Sequence, residues 1–249
     1  MSWSKIRALG QHHLIDKRIL KEIIELSQIN KEEVVCEAGT GEGILTQELC
    51  KQAKKVISYE IDKALYVRAL SYLSDLSNLL LINANIFKIK NVDFHVFVSN
   101  LPYSRSKDAI EWLALQKFRR AIVMFQKEFV NKLKARPGET NYRSVSVICQ
   151  YCFRVDSLIE VNRKSFLPRP QIDSQVVRLT PYKNNCIDIY TLKTLNYIFS
   201  FRNKKASSVA KTFGTNLSSD LNLNNKRIDQ LTPQDLVSLA ESLKYIVSK

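Results

Sequence analysis

Hydrophobic residues form short continuous runs over most of the chain, and stretches of helical spacing separate these runs. The runs predict buried strands, because they are rich in branched residues and bounded by polar or glycine positions. After Asp16 the spacing changes, and Ile19, Ile23 and Leu26 mark one face of a helix that Asp16 caps. Strands alternating with helices predict an α/β fold. Seven strands are predicted. Two of them begin at Val34 and Val96, and the other five cover residues 55–59, 79–82, 121–125, 145–153 and 175–179.

The pattern differs in the last quarter of the chain, where no stretch has the apolar run of a strand. Helical spacing begins near Cys186, and a final helix begins at Pro233 with Thr232 as its N-cap. We therefore predict an α/β domain over residues 1–183 and a small all-helical domain over residues 184–249. The last strands of the sheet are expected to be antiparallel.

The charge of the chain is far from balanced. Lysine and arginine number 38 against 24 aspartate and glutamate residues in 249, a formal net charge of +14. An excess of this size predicts a polyanionic partner, either a nucleic acid or an anionic membrane surface. No run of about 18 apolar residues occurs, and no apolar segment follows the first residues. We therefore expect neither a membrane span nor a secretory signal.

Residues that bind metals are few. The five cysteines are scattered through apolar segments, which predicts reduced thiols in a cytoplasmic protein. Cys149 and Cys152 have the C-x-x-C spacing, but on the predicted strand 145–153 they face opposite sides, and no second pair exists. His12 and His13 are adjacent but have no third ligand nearby. We expect no metal site.

Glycine is concentrated at one place. The chain has six glycines, and Gly39, Gly41 and Gly43 follow the strand that begins at Val34 and precede a helix. Glycines there allow positive φ and a close approach of the backbone to a ligand, and the helix start presents free amides. Glu60 ends the next strand, where a carboxylate can accept hydrogen bonds from both ribose hydroxyls. These features predict a nucleotide site, and their spacing alone does not separate a dinucleotide from S-adenosylmethionine.

A second candidate site follows the apolar run that begins at Val96, where the chain reads Asn100-Leu101-Pro102-Tyr103. The amino group of adenine is a poor nucleophile because its lone pair is delocalised into the ring. A site that alkylates it must accept its hydrogens, which the Asn100 side chain and the Leu101 carbonyl can do while Pro102 fixes the backbone. Tyr103 offers a face for stacking a base, worth about 1–3 kcal/mol. This pair of amide and aromatic ring favours S-adenosylmethionine over a dinucleotide.

Asn100-Leu101-Pro102-Tyr103 is one of several stretches with a shared resemblance. The block from Phe166 to Ser174 reads Phe-x-Pro-x-Pro-x-x-Asp-Ser, a far more specific pattern than a glycine loop. Further stretches lie at residues 10–14, 37–46, 126–128 and 199–205. Together they resemble the small-subunit ribosomal RNA adenine dimethyltransferases over nearly the whole chain. The resemblance implies a Rossmann-like, seven-stranded class I methyltransferase sheet with a small helical domain.

The resemblance also implies an activity and a set of site residues. It implies that S-adenosylmethionine donates methyl groups to the exocyclic amino group of adenine in small-subunit rRNA during ribosome biogenesis. It places a flipped adenine between the rings of Phe166 and Tyr103. The implied catalytic residues are Asn100, Leu101, Pro102, Tyr103 and Phe166. The implied cofactor residues are His12, Leu14, Gly39, Glu60, Asn85 and Asn100. We expect the protein to be a monomer. The basic residues expected to neutralise rRNA phosphates are Arg105, Lys107, Lys127, Lys132, Lys134, Arg136, Arg163, Lys164, Arg169, Arg202, Lys204 and Lys205.

The chain departs from the family pattern in three places. His12 and His13 replace Asn and Phe, Asn85 stands where the family usually has Asp, and residues 142–146 differ slightly from Tyr-x-Arg-Leu-Ser. Asn85 offers an uncharged bond to the cofactor's adenine, so we expect the departures to change cofactor affinity. They leave the Asn-Leu-Pro-Tyr chemistry in place.

Two other functions are compatible with the same fold. One is a nucleic-acid-binding assembly or transcription factor in which methylation is weak or lost, and the intact segments at Gly39 and Asn100 argue against complete loss. The other is a large-subunit rRNA adenine methyltransferase, which the sequence separates only through the carboxyl-terminal blocks.

Overall fold

A computed structural model of the protein describes residues 12–183, 186–213 and 225–247. Gly10 and Gln11, which open the first resembling stretch, lie outside the described residues. So does residue 184, where the predicted helical domain begins. Within the described residues, no helix has the length and apolar character needed to span a membrane.

Within the described ranges the strands form two sheets, one large and one small. Their bounds are β1 His13–Leu14, β2 Val34–Ala38, β3 Lys55–Tyr59, β4 Leu79–Ile82, β5 Val96–Asn100, β6 Arg120–Gln126, β7 Phe153–Val161, β8 Phe166–Leu167 and β9 Ser174–Pro181. The large sheet has seven strands in the order β4-β3-β2-β5-β6-β9-β7, and β1 pairs with β8 in the small one. Strands β2 to β6 are parallel, whereas β9 runs antiparallel to both β6 and β7. The α/β fold with antiparallel last strands is confirmed.

Helices connect the strands and follow the sheet. The α-helices are α1 Lys17–Ser27, α2 Ile44–Gln52, α3 Lys63–Tyr72, α4 Ser106–Leu113, α5 Lys127–Lys134, α6 Ser144–Cys152, α7 Ile189–Ile198, α8 Ala206–Thr212 and α9 Pro233–Val247. Short 3₁₀ turns cover Ile86–Lys88, Tyr103–Arg105, Arg163–Ser165, Phe199–Phe201 and Ile228–Gln230. The side chain of Asp16 accepts a hydrogen bond from Arg18 N, so the predicted N-cap of the first helix is confirmed.

The predicted strand at residues 145–153 is wrong, because this segment is helix α6 and the strand β7 begins at Phe153. Nearly every residue of α6 is buried, so its run of Val, Ile and Cys reflects burial on all sides of a helix. Cys149 and Cys152 therefore lie one helical turn apart and do not face opposite sides. Both are free and buried, and burial raises the pKa of the Cys152 thiol to about 12.

The alternation of side chains along each strand builds a hydrophobic core on both faces of the sheet. On β6, Val123 belongs to one buried cluster, whereas Ile122 and Met124 belong to the other. The same division separates Phe97 from Val98 on β5. Both faces of the sheet are therefore covered. The carboxyl ends of the parallel strands form the end of the sheet where α/β folds bind ligands.

The carboxyl-terminal helices pack on one of these two clusters. Leu195 and Ile198 of α7 and Leu236 and Leu239 of α9 share a buried cluster with Phe97 of the sheet. The helical segment is therefore joined to the α/β part through continuous hydrophobic packing. The division at residues 183 and 184 stays a prediction.

Candidate functional site

A cleft opens at the carboxyl ends of β2, β3 and β5. The backbone of the glycine loop and the side chains of Leu14, Ile44, Leu45 and Leu65 form much of its lining. Five of the predicted cofactor residues, namely His12, Leu14, Gly39, Glu60 and Asn100, line it together with Pro102. No group of three or more His, Cys, Asp or Glu side chains within the described ranges is arranged to hold a metal ion.

The glycine loop between β2 and α2 forms the floor of the cleft. Gly39 and Gly41 have φ angles of +82° and +58°, a region that L side chains rarely adopt. A Cβ atom built on either residue would meet no protein atom within 4 Å, so the space above both belongs to the cleft. Gly39 N donates a hydrogen bond of 2.7 Å to Tyr59 O, which fixes the loop against β3.

Glu60 is held rigidly beside this loop. Glu60 is only 3% exposed. Its Oε2 accepts a hydrogen bond of 2.9 Å from Gly41 N, and its Oε1 accepts one of 2.8 Å from Asp62 N. Each carboxylate oxygen has a further lone pair to offer. The arrangement is suited to accept two ligand hydroxyls in a fixed geometry.

Glu37 forms a buried network under the loop that the sequence interpretation did not assign to the site. Its Oε2 accepts hydrogen bonds from Thr46 Oγ1 at 2.7 Å and Ser58 Oγ at 2.6 Å, and Ser58 in turn lies 2.6 Å from Thr40 Oγ1. Oε1 is buried without a partner among the described residues. Burial raises the pKa of Glu37 to about 7, so the neutral acid is well populated. In the sequence, Glu37 stands two residues before Gly39 and opens the resembling stretch at residues 37–46.

Asn100 and Leu101 present two hydrogen-bond acceptors at the end of β5. Asn100 is half-buried on the cleft wall, and its side chain makes no hydrogen bond to any described residue. The Leu101 carbonyl likewise has no backbone partner within the described chain. Asn100 lines the cleft and Leu101 lies between the lining residues Asn100 and Pro102, so these two unpaired acceptors are available to the hydrogens of a ligand.

Tyr103 is held through its backbone and through its side-chain hydroxyl. It begins a 3₁₀ turn in which Arg105 N donates to Pro102 O at 2.8 Å, and its hydroxyl lies 2.7 Å from Ser174 Oγ. Burial raises the pKa of the Tyr103 hydroxyl above its usual range, so the phenol stays protonated. The ring is therefore a flat surface and not a base.

His12 covers part of the Tyr103 ring. The two ring centroids lie 5.3 Å apart with an interplanar angle of 30°, a stacked arrangement. His12 Nδ1 donates a hydrogen bond of 2.7 Å to Pro168 O, which leaves Nε2 as the acceptor of the neutral ring. This contact joins the amino-terminal segment to the Phe-x-Pro-x-Pro block across 156 positions of sequence.

Phe166 lies in the core rather than in the cleft. It is 2% exposed, pairs with Leu14 across the small sheet, and packs in the cluster that contains Val98 and Met124. In this structure the ring stacked on Tyr103 is that of His12. A base sandwich with Phe166 would require Phe166 to leave its buried position.

Asn85 also stands apart from the cleft residues. It caps the 3₁₀ turn Ile86–Lys88, and its Oδ1 accepts a hydrogen bond of 3.1 Å from Phe87 N. One lone pair of that oxygen is thus used within the turn.

Comparison with known proteins identifies related chains. A family model described as ribosomal RNA adenine dimethylase matches residues 4–248. A ribosomal RNA small subunit methyltransferase A from Thermotoga maritima is 37% identical over 239 residues, covering 94% of this chain and 83% of that relative. A probable ribosomal RNA small subunit methyltransferase A from Pyrococcus abyssi is 33% identical over 248 residues, covering 95% and 91% of the two chains.

Solved structures show the same architecture. The crystal structure of a dimethyladenosine transferase from Plasmodium falciparum matches with a TM-score of 0.71 at 26% identity, covering 92% of this chain and 96% of that chain. The 23S rRNA methyltransferase ErmE matches with a TM-score of 0.61 at 22% identity, covering 92% and 98%. The second likeness is one of fold alone.

Proposed function

Because the chain belongs to the ribosomal RNA adenine dimethylase family, we propose that it dimethylates adenine in small-subunit rRNA at the cleft lined by Glu60 and Asn100. The protein is an S-adenosylmethionine-dependent rRNA adenine N6-methyltransferase. The choice of the small subunit is supported by the names of its relatives from Thermotoga maritima and Pyrococcus abyssi. The observation that carries the proposal is the pair of unpartnered acceptors on Asn100 and Leu101.

The cleft suits S-adenosylmethionine in its shape and its charge. Open space above Gly39 and Gly41 admits the ligand close to the backbone, and the fixed Glu60 carboxylate is suited to the two ribose hydroxyls. His12 and Leu14 line the same cleft. When bound there, S-adenosylmethionine supplies an electrophilic methyl group carried by a cationic sulfur.

Asn100 and Leu101 would activate the target nitrogen. The adenine amino group is planar while its lone pair is delocalised into the ring. Asn100 Oδ1 and the Leu101 carbonyl would each accept one of its hydrogens and favour the pyramidal form, in which the lone pair can attack. Pro102 fixes the backbone at this point, with φ of −54°. Rate enhancement would come from positioning and polarisation, with no strong base needed.

Tyr103 would hold the plane of the flipped base by stacking. The ring is anchored through its hydroxyl and stays protonated, so it contributes a face and no proton transfer. After the first methyl transfer the nitrogen releases one proton to water and keeps one hydrogen, so a single acceptor suffices for the second methylation. Phe166 as the second face of the sandwich, and Asn85 as a contact to the cofactor, remain predictions.

Exposed basic side chains would bind the rRNA backbone. Arg163, Lys164 and Arg169 are exposed on both sides of Phe166, and Lys204 and Lys205 are exposed on the helical segment. We propose that the helical segment 184–249 extends the RNA contact beyond the target adenine. A monomeric state and a cytoplasmic location complete the proposal.

Methyl transfer to purified subunits tests the substrate. Small and large ribosomal subunits that lack the modification are incubated separately with labelled S-adenosylmethionine and the protein. We expect label in the RNA of small subunits and background label in large subunits. Equal labelling of both, or labelling of large subunits alone, would contradict the small-subunit assignment.

A further inference from the structure

The hydroxyl end of Tyr103 is tied to the central sheet and not to a loop. Its partner, Ser174, is fully buried and is the first residue of β9. The Cα atom of Ser174 pairs with Gln126 on β6 and with Val161 on β7, so Ser174 stands between the ends of two strands. The backbone that carries its Oγ atom, 2.7 Å from the Tyr103 hydroxyl, is therefore part of the sheet.

The residue before Ser174 fixes this point from two further directions. The Asp173 carbonyl accepts a hydrogen bond of 3.1 Å from Lys127 N at the start of α5. Its Oδ1 accepts one of 2.8 Å from Arg163 N in the turn that precedes Phe166. The Asp-Ser pair thus connects β6, α5 and the Phe-x-Pro-x-Pro segment to the ring of Tyr103.

We infer that Ser174 is a positioning residue for methyl transfer, because its hydroxyl fixes the plane of the Tyr103 ring on which the target adenine stacks. The inference rests on the proposed role of Tyr103 as the stacking surface. Ser174 itself touches neither the base nor the cofactor in this scheme, and acts only through the tyrosine hydroxyl.

The physical need for such an anchor follows from the geometry of a tyrosine. Its backbone end is fixed by the turn, in which Ser106 Oγ donates to Tyr103 O at 2.8 Å, but the ring can still tilt about two side-chain torsions. The stacked His12 ring touches its face and does not fix the far end. The hydrogen bond from the hydroxyl to Ser174 fixes that far end. Without it the ring could tilt, and a stacked base would then present its amino nitrogen off the line of attack.

A double-mutant cycle tests the inference, because Ser174→Ala and Tyr103→Phe each remove the same hydrogen bond from opposite sides. We expect each variant to slow single-turnover methyl transfer about 3- to 10-fold, the value of one hydrogen bond. The double variant should be no slower than the slower single variant. Cofactor affinity, measured by calorimetry, should stay at the wild-type value in all three.

A second readout separates positioning from a loss of stability. An RNA substrate with 2-aminopurine at the target position reports stacking through its fluorescence. We expect weaker quenching of the bound probe in both single variants. Ser27→Ala is the matched control, because Ser27 is equally buried, does not line the cleft, and donates its hydroxyl to Ile23 O within its own helix and not to Tyr103. It should leave quenching and rate unchanged.

Two results would overturn the inference. One is a wild-type rate and wild-type quenching in Ser174→Ala, and the other is a double variant whose loss equals the product of the single losses. Tyr103→Ala separates this failure from failure of the proposed function. If Tyr103→Ala is slow while Ser174→Ala is not, only the role of Ser174 falls; if Tyr103→Ala is as fast as wild type, the stacking surface itself is refuted.

Discussion

Glu60 is the single residue on which the proposed cofactor geometry depends most. Both of its carboxylate oxygens already accept backbone hydrogen bonds, from Gly41 and Asp62. In Glu60→Gln one oxygen becomes an amide donor that faces a backbone N–H. We therefore expect the dissociation constant of S-adenosylmethionine to rise about 10-fold or more, the loss of a charge-assisted bond. Isothermal calorimetry measures it.

The matched control for this substitution is Glu32→Gln. Glu32 is exposed and lies outside the cleft, so it loses the same charge without a change at the site. Equal affinity in Glu60→Gln, Glu32→Gln and the wild type would remove the ribose contact from the account.

Glu37 makes stability depend on pH in an unusual direction. Burial raises its pKa in the folded protein from 4.5 to about 7, so the folded state binds the proton more tightly than the unfolded state. The stability that this proton brings is complete below pH 4.5 and is lost as the pH rises through about 7. The loss is on the order of 3 kcal/mol at full ionisation. Glu37→Gln should flatten this part of the profile.

Denaturant unfolding of both proteins across this pH interval measures the difference. Glu33 acts in the opposite sense, because its hydrogen bond to Arg120 lowers its pKa, and its contribution is lost only on acidification below 4.5. The two windows therefore do not overlap. Parallel profiles for the wild type and Glu37→Gln between pH 4.5 and about 7 would show that Glu37 is ionised throughout.

At the level of elements, substitutions at two glycines of the loop are expected to differ in their effects on cofactor affinity and on stability. Gly41→Ala places a methyl group at positive φ in open space, which costs about 1 kcal/mol of stability and intrudes on the cofactor. Gly43→Ala meets the same strain and also brings Cβ to 2.9 Å from Leu73 Cδ1. We expect Gly43→Ala to lose more stability, about 2–3 kcal/mol, and Gly41→Ala to lose more cofactor affinity.

Urea midpoints and calorimetry measure the two losses. Leu73→Ala removes the crowding partner, so its combination with Gly43→Ala should cost less than the sum of the two changes. Identical stability losses in the two glycine variants would contradict the packing described for Leu73.

The elements of the sheet were largely predictable from sequence, because strands buried on both faces are continuous apolar runs bounded by polar residues. The exceptions are helix α6, whose Val145, Val147 and Ile148 have the composition of a strand, and strand β7, which follows the segment predicted as the seventh strand. A helix that is buried on all sides loses the periodicity by which helices are recognised, and packing overrides the preference of branched residues.

The site was predictable in part. Motif positions such as Gly39, Glu60 and Asn100 do line one cleft. Contacts between distant segments were not predictable, since no local pattern encodes the bond from Tyr103 to Ser174, 71 positions away. The buried position of Phe166 depends likewise on the pairing of β8 with β1, which the sequence does not reveal.

At the scale of the whole molecule, the net charge of +14 should make RNA binding depend strongly on salt. If about five phosphates are neutralised, a fourfold rise in salt weakens binding to single-stranded RNA about 100-fold. Replacing Arg163, Lys164 and Arg169 together by glutamine should reduce the slope of log Kd against log salt. Filter binding over a salt series measures it, and a slope near zero in the wild type would argue against a phosphate-binding surface.

Mass spectrometry of nucleosides from small subunits treated with S-adenosylmethionine and the protein tests the proposed activity most directly. The proposed mechanism predicts N6,N6-dimethyladenosine with the wild type. With Asn100→Ala it predicts a rate at least about 100-fold lower, because an acceptor that stabilises the reacting group is lost. Absence of dimethyladenosine with the wild type, or an undiminished yield and rate with Asn100→Ala, would contradict it.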